Sequence, residues 1–232
     1  MQSATEIKRA AREAGLLYLA MSILAMLGYF YLHRLFFISG DPAATARAIL
    51  ERESLYRLGI LVDVVAQVLF ILVVLALYRL FKDVDRNQAR IMVALVGTGI
   101  AAGFAGFVFK AAPLVLLSGK DYLSAFSRPQ LEALSYTATV LNSRLGELLT
   151  SLWGLWLFPF AILTFKSGFL PKYLGVLLIL SGAGYVASCI AGIGFPAQAP
   201  TVRQFAFPLY FGEFVVVLWL AIVGARPRTV TV

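Results

Sequence analysis

The sequence has one cysteine, Cys189, and one histidine, His33. A single thiol excludes an intrachain disulfide and a cysteine-built metal centre, and a lone imidazole argues against a transition-metal site. Small neighbours (Ala187, Ser188, Ala191, Gly192) mark Cys189 as a packing residue, and His33, beside Arg34 at the end of an apolar run, reads as interfacial. Charge is scarce as well: only 14% of residues are Asp, Glu, Lys or Arg, against roughly a quarter in soluble domains. The chain also lacks a Gly-rich phosphate loop after a strand, a serine elbow, a His-Glu-x-x-His pair and a Cys pair. The expectation is a protein with no catalytic residue, no metal ligand and no cofactor, non-enzymatic rather than enzymatic.

What the chain has in quantity is apolar residues, 60% of its 232, with a mean hydropathy of +0.85. Runs of about 20 residues, enough to cross roughly 30 Å of hydrocarbon, recur with short polar joins. They predict an all-α polytopic membrane protein, residues 1–232 forming a single domain of six transmembrane helices in three hairpins. The spans fall at roughly 15–37, 58–80, 91–117, 138–164, 173–194 and 206–224. Lys8, Arg9 and Arg12 before the first run imitate a signal peptide, but that run exceeds an h-region of about 7–15 residues and no small-x-small cleavage site follows. Net charge is +8, yet the bases sit at helix ends rather than on one face, so no nucleic-acid partner is expected. Eleven Lys and Arg, among them Arg79, Arg86, Lys166, Arg226 and Arg228, gather on one side in short loops. Eight lie on the other. This asymmetry predicts both termini in the cytoplasm and a cell-membrane location, with membrane lipids as partners.

The connecting segments on the outer side read as helical. Asp41-Pro42 is a cap followed by proline at the first helical position, and Ser127 with Gln130 forms a capping box, as Ser3 and Glu6 do at the N-terminus. Both outer segments are amphipathic and belong to a weak internal repeat, "FISGDPAATARAILERESLYRLGILVD" against "LLSGKDYLSAFSRPQLEALSYTATVLNSRLGELL", in which Arg57-Leu58-Gly59 matches Arg144-Leu145-Gly146. Small residues recur every four positions in the third run (Gly99, Gly103, with Ala102 and Gly106) and the fifth (Gly184, Ser188, Gly192), the spacing of close helix packing. Most of the nine prolines fall at expected loop boundaries, including the "FPAQAPTVRQFAFPL" connector, while Pro159 interrupts the fourth span. Trp153, Trp156 and Trp219 read as bulky packing residues.

Ionisable groups within the spans are the candidate functional residues, because an unpaired charge at mid-bilayer costs about 2.5–3.5 kcal/mol on insertion scales. Asp63, Glu147 and Glu213 lie five to seven residues from the outer ends of their helices, roughly 8–10 Å below the rim at 1.5 Å per residue, and so share a layer. Arg144 can pair with Glu147 at i, i+3; Arg57 and Lys110 sit at the rim; Gln67, Asn142 and Tyr210 supply hydrogen bonds. Two readings follow from this outward polar cluster: interhelical clamps, or a site for a small-molecule, cation or lipid-headgroup ligand. If Arg57 and Lys110 turn inward the cluster is neutral; if they snorkel, it favours a cation or shared protons.

At "FISGD", "RLGILVD", "FKSGFLPKYLGVLLILSGAGY" and "GEFVVVLWLAIVGAR" the chain resembles the bacterial family called domain of unknown function 4386, from "AGLLYL" at Ala14 to Gly224. Ser167-Gly168-Phe169-Leu170-Pro171 with Leu174-Gly175, and Arg57 with Gly59 and Asp63, carry most of the likeness. The resemblance implies a six-helix integral membrane protein of bacterial or archaeal type, and no reaction. The fourth span departs from it, reading "LTSLWGLWLF" where a glycine- and aromatic-rich run with a histidine is expected. The alternative to a clamp or binding protein is a small transporter or proton-coupled carrier using Asp63, Glu147 and Glu213. An intramembrane hydrolase would need a nucleophile or metal that these residues do not supply.

Overall fold

The structure, a computed structural model, describes residues 3–226, the side chains of Tyr29 and Phe30 excepted; Arg228 of the charge census lies outside the described residues. Every regular element among them is helical. Helix α1 (Ala4–Met26) starts at the expected capping box: the Ser3 N–H donates to Glu6 Oε2 at 2.7 Å, and the Glu6 N–H to Ser3 Oγ at 3.2 Å. It continues through a π-helical segment, Leu27–Leu32, into α2 (His33–Phe36). Gly40, at φ 80°, turns the chain, and Asp41 caps α3 (Pro42–Glu51) by accepting the Ala44 N–H at 2.8 Å. Then follow α4 (Glu53–Phe81), α5 (Arg86–Leu116), a 3₁₀ turn at Asp121–Leu123 and α6 (Arg128–Leu155). The Ser127 N–H donates to Gln130 Oε1 at 2.8 Å, so half of the second capping box forms. The chain ends in α7 (Leu157–Ser167), α8 (Lys172–Gly194) and α9 (Ala199–Ile222).

Among the described residues five stretches are long and apolar enough to cross a membrane: Glu53–Phe81, Arg86–Leu116, Arg128–Ser167, Lys172–Gly194 and Ala199–Ile222. They carry apolar side chains that a water-soluble protein would bury, such as Val108 at 69% and Phe205 at 76% exposure, as a multi-pass membrane protein requires. The run expected to cross at 15–37 is not among the five. It is helical throughout, but the π segment divides it between α1 and α2.

Most prolines lie at helix boundaries as expected, Pro42 and Pro200 in first turns and Pro171 at an N-cap, but two do not. Pro113 and Pro208 lie inside α5 and α9 rather than at boundaries. The connector expected to be a proline-broken loop is helical from Ala199, because Pro200 occupies the first turn, where no N–H is needed. Pro159 acts as expected: it has no N–H to give the Leu155 carbonyl, and α6 ends at Leu155.

The described residues fall into two compact units. In the unit made of 3–20, 69–100 and 147–226, the break before Pro159 is filled by Trp156, 1% exposed, with Phe70, Tyr18 and Phe160 at ring-centroid distances of 5.6–5.8 Å. Backbones approach closely where side chains vanish. A Cβ on Gly154 would sit 2.7 Å from the Gly182 carbonyl, and one on Gly15 would strike the backbone of Ala221. The family motif at 167–171 is the turn between α7 and α8: Gly168, at φ 68°, ends α7, and Ser167 Oγ accepts the Leu170 N–H at 3.2 Å. The unit made of 21–68 and 101–146 has its own core of Phe36, Ile49 and Tyr56, with Leu35, Ile60 and Leu114 packed against it. Both Ser-Gly turns of the internal repeat lie in this unit, with Gly40 and Gly119 each in the left-handed region.

Asp85 joins α4 to α5. Its Oδ1 accepts the Asn87 and Gln88 N–H groups, each at 3.1 Å, and its Oδ2 accepts Lys166 Nζ at 2.6 Å. The Lys166 hydrogen bond, helped by the two N–H donors, holds the Asp85 carboxyl below the ordinary carboxylate range. A depressed pKa contributes stability above the unfolded value, about 3.9 for Asp, and loses it as pH falls through the folded value. Asp85→Asn is therefore expected to unfold at a lower temperature than the parent at pH 7, with the gap closing below about pH 4; thermal scans in detergent across that range measure it.

Candidate functional site

Several polar residues of the spans share one local arrangement: the side chain reaches a neighbouring helix where a glycine leaves room for it. In the 21–68/101–146 unit, Asp63 of α4 forms an ion pair through Oδ2 with Lys110 of α5, both side chains mostly buried at 20% and 11% exposure. A Cβ on Gly28, in the π segment, would overlap Asp63 Oδ1. One turn further along α4, Gln67 rests on Gly103 of α5, where an added Cβ would strike its Nε2. Asn142 of α6 lies beside Gly106, its Oδ1 3.6 Å from where a Cβ would be.

The 3–20/69–100/147–226 unit repeats the pattern. Glu147 of α6 pairs through Oε1 with Arg203 of α9 and presses on Gly192 of α8. Glu213 of α9 accepts the Tyr18 hydroxyl of α1, and Tyr185 lies beside it. Ser181 of α8 enters the α9 hydrogen-bond ladder opposite Gly212: its Oγ accepts the Glu213 N–H at 2.9 Å and donates to the Leu209 carbonyl at 2.7 Å. Tyr210 shares a hydrogen bond with Ser188 at 2.6 Å and stacks on Tyr185, with centroids 4.3 Å apart.

Of the two rim bases, Lys110 turns inward to Asp63, while Arg57 is exposed and pairs within its own helix with Glu53 at 2.7 Å. That pair borders a hollow of about 170 Å³ with Ser118 and Pro113; its two charges satisfy each other. Arg144 is exposed on α6. Arg203 and Tyr18 are the partners that sequence reasoning missed. Arg203 reads as a loop base only while the connector is taken for a loop; four residues into a helix beginning at Ala199, it can reach inward. Tyr18 was findable as a hydroxyl inside an apolar run, which needs an acceptor once buried. A second cavity, about 20 Å³, is walled by His33, Thr45, Tyr56, Lys110, Thr139 and Asn142 together with apolar groups. Among the described residues no group of three His, Cys, Asp or Glu could hold a metal ion. The arrangement sets Asp63 and Glu147 each against a base and Glu213 against a phenol.

The model of the family described as domain of unknown function (DUF4386) matches residues 14–224. The chain belongs to the DUF4386 family. A curated protein of Archaeoglobus fulgidus, described as uncharacterised, is 33% identical over 73 residues, which is 32% of this DUF4386 chain and 42% of that protein. The match thus spans less than half the length of that relative. No solved structure gives a significant match.

If the glycines are seats for polar side chains, an added methyl must displace the polar group. Gly192→Ala is expected to push Glu147 off Arg203 and cost about 1–3 kcal/mol, the usual range for overpacking. Gly97 has nothing within 4 Å of an added Cβ, so Gly97→Ala should be neutral or stabilise by up to about 1 kcal/mol through helix propensity. Denaturant unfolding in mixed micelles compares the two.

Proposed function

We propose that this DUF4386 protein is a non-enzymatic, six-crossing protein of the plasma membrane with both termini in the cytoplasm, whose intramembrane polar side chains clamp a single helical domain in register. The sixth crossing is the 15–37 run, helical across α1, the π segment and α2. One observation carries the clamp reading: Asp63, Glu147 and Glu213 each have a separate partner on another helix, Lys110, Arg203 and Tyr18. A ligand site would leave at least one of these acids open for the ligand. Measured membrane hydrogen bonds average only about 0.6 kcal/mol, so the clamps contribute register more than bulk stability. An ion pair broken on one side costs more, because it strands a charge.

A double replacement separates the possibilities. Asp63→Asn, which leaves Lys110 without its counter-ion, is expected to destabilise by about 3 kcal/mol, and Asp63→Leu combined with Lys110→Met to recover most of that. Unfolding of the purified protein in lipid-detergent mixtures reads both. A single variant as stable as the parent would overturn the clamp.

The second reading, a proton-coupled carrier, is favoured by the two interruptions, the π segment at Leu27–Leu32 and the break at Trp156, since carriers commonly build their sites where helices are discontinuous. Its test is proton flux in proteoliposomes containing a trapped pH dye. A flux abolished by Glu147→Gln or Glu213→Gln, in protein that remains folded, would establish it over the clamp.

A further inference from the structure

The small cavity of the 21–68/101–146 unit contains polar groups that the clamps leave unused. Lys110 and Asn142 both border it. The Lys110 ammonium has three N–H donors, and among the described residues Asp63 takes the only hydrogen bond given by its Nζ. The Asn142 carboxamide, part-buried on α6, makes no hydrogen bond to another described residue. Two N–H donors of Lys110 and the Asn142 carboxamide therefore stand uncommitted beside one hollow, where a single occupant can bond to both.

The remaining wall groups define what that occupant is. Tyr56 spends its hydroxyl on the Lys110 carbonyl at 2.7 Å, Thr45 on the Ile38 carbonyl at 3.2 Å and Thr139 on the Ser135 carbonyl at 3.1 Å. His33 stacks on Phe37 at 5.5 Å. Lys110, whose charge Asp63 balances, offers only N–H donors and the Asn142 amide offers two more, so the hollow favours a hydrogen-bond acceptor. Size selects further. At about 20 Å³ the hollow exceeds the 10–15 Å³ or so that one water needs, and it is too small for a phosphate or a lipid headgroup.

We propose that this cavity is a binding site for one water-sized hydrogen-bond acceptor, a water molecule or a halide ion, held between Lys110 and Asn142. The site stands apart from the clamp reading, since the Asp63–Lys110 pair persists whether or not the cavity is filled.

The full chain in lipid nanodiscs tests it by hydroxyl-radical footprinting, which oxidises side chains next to bound water. Tyr56, only 6% exposed, and Phe37 on the same wall are expected to be oxidised several-fold faster than the lipid-facing Phe104. Asn142→Leu, which removes the amide and fills the space, should abolish that excess while leaving the fold intact. The two occupants separate on exchanging gluconate for chloride at constant ionic strength. A chloride-dependent rise in unfolding temperature that is absent in Asn142→Leu identifies a halide; the same oxidation with no chloride dependence identifies water. Tyr56 and Phe37 oxidised no faster than Phe104 with no chloride effect, or an excess that survives Asn142→Leu, would overturn the proposal.

Discussion

A polar side chain in a membrane span must find its partner on a neighbouring helix, because the lipid offers none. In this protein the requirement is met repeatedly by one device, a polar side chain laid against a glycine of the next helix. Asp63 lies on Gly28, Gln67 on Gly103, Glu147 on Gly192 and Ser181 on Gly212. Without a Cβ the two helices come close enough for a short side chain to reach across, and the polar atom is covered by backbone instead of acyl chain. A larger residue at any of these positions would evict the polar group, so the glycine and its polar partner act together as one element of the fold.

Hydrophobic burial cannot organise such a bundle by itself, since lipid tails are as apolar as leucine. Shape and polar pairing remain. The Trp156 region shows the contribution of shape: α6 ends at Leu155, four residues before Pro159, and Trp156 at the break packs among the rings of Tyr18, Phe70 and Phe160. Serine shows the contribution of pairing. Ser181 Oγ replaces part of the α9 ladder between Leu209 and Glu213, next to Pro208, and so fixes the stretch of helix that presents Glu213 to Tyr18.

Signals confined to a few residues were legible in the sequence. The caps at Ser3 and Asp41 form, and half of that at Ser127, because they depend only on neighbours three positions away. The glycines at four-residue spacing and the acids within apolar runs were legible as two separate patterns; that Gly103 receives Gln67 and Gly192 receives Glu147 depends on helix rotation and register, which no local spacing encodes. The same reason hid Arg203. Its pairing with Glu147 requires α9 to begin at Ala199, and the prolines around it gave the appearance of a loop. The π segment was invisible for a different reason: one extra residue in a helical turn leaves no mark on composition or hydropathy.

The acids differ in what neutralises them, and the difference bears on function. Asp63 and Glu147 face ammonium and guanidinium groups, so each pair is electrically closed and can be exchanged for an apolar pair of similar volume with little loss. Glu213 faces phenols, with no Lys, Arg or His within ion-pair distance among the described residues. A phenol donates a hydrogen bond without cancelling the charge, and Tyr18 is fixed by its packing on Trp156. The carboxyl is thus oriented by rigid donors in a unit whose other acid, Glu147, is already balanced. For a clamp, that orientation suffices, because the Tyr18–Glu213 bond ties α1 to α9. For a carrier, Glu213 would be the acid with a proton to exchange, and its discrimination from Glu147 would come from this contrast between a phenol and a guanidinium rather than from depth in the membrane.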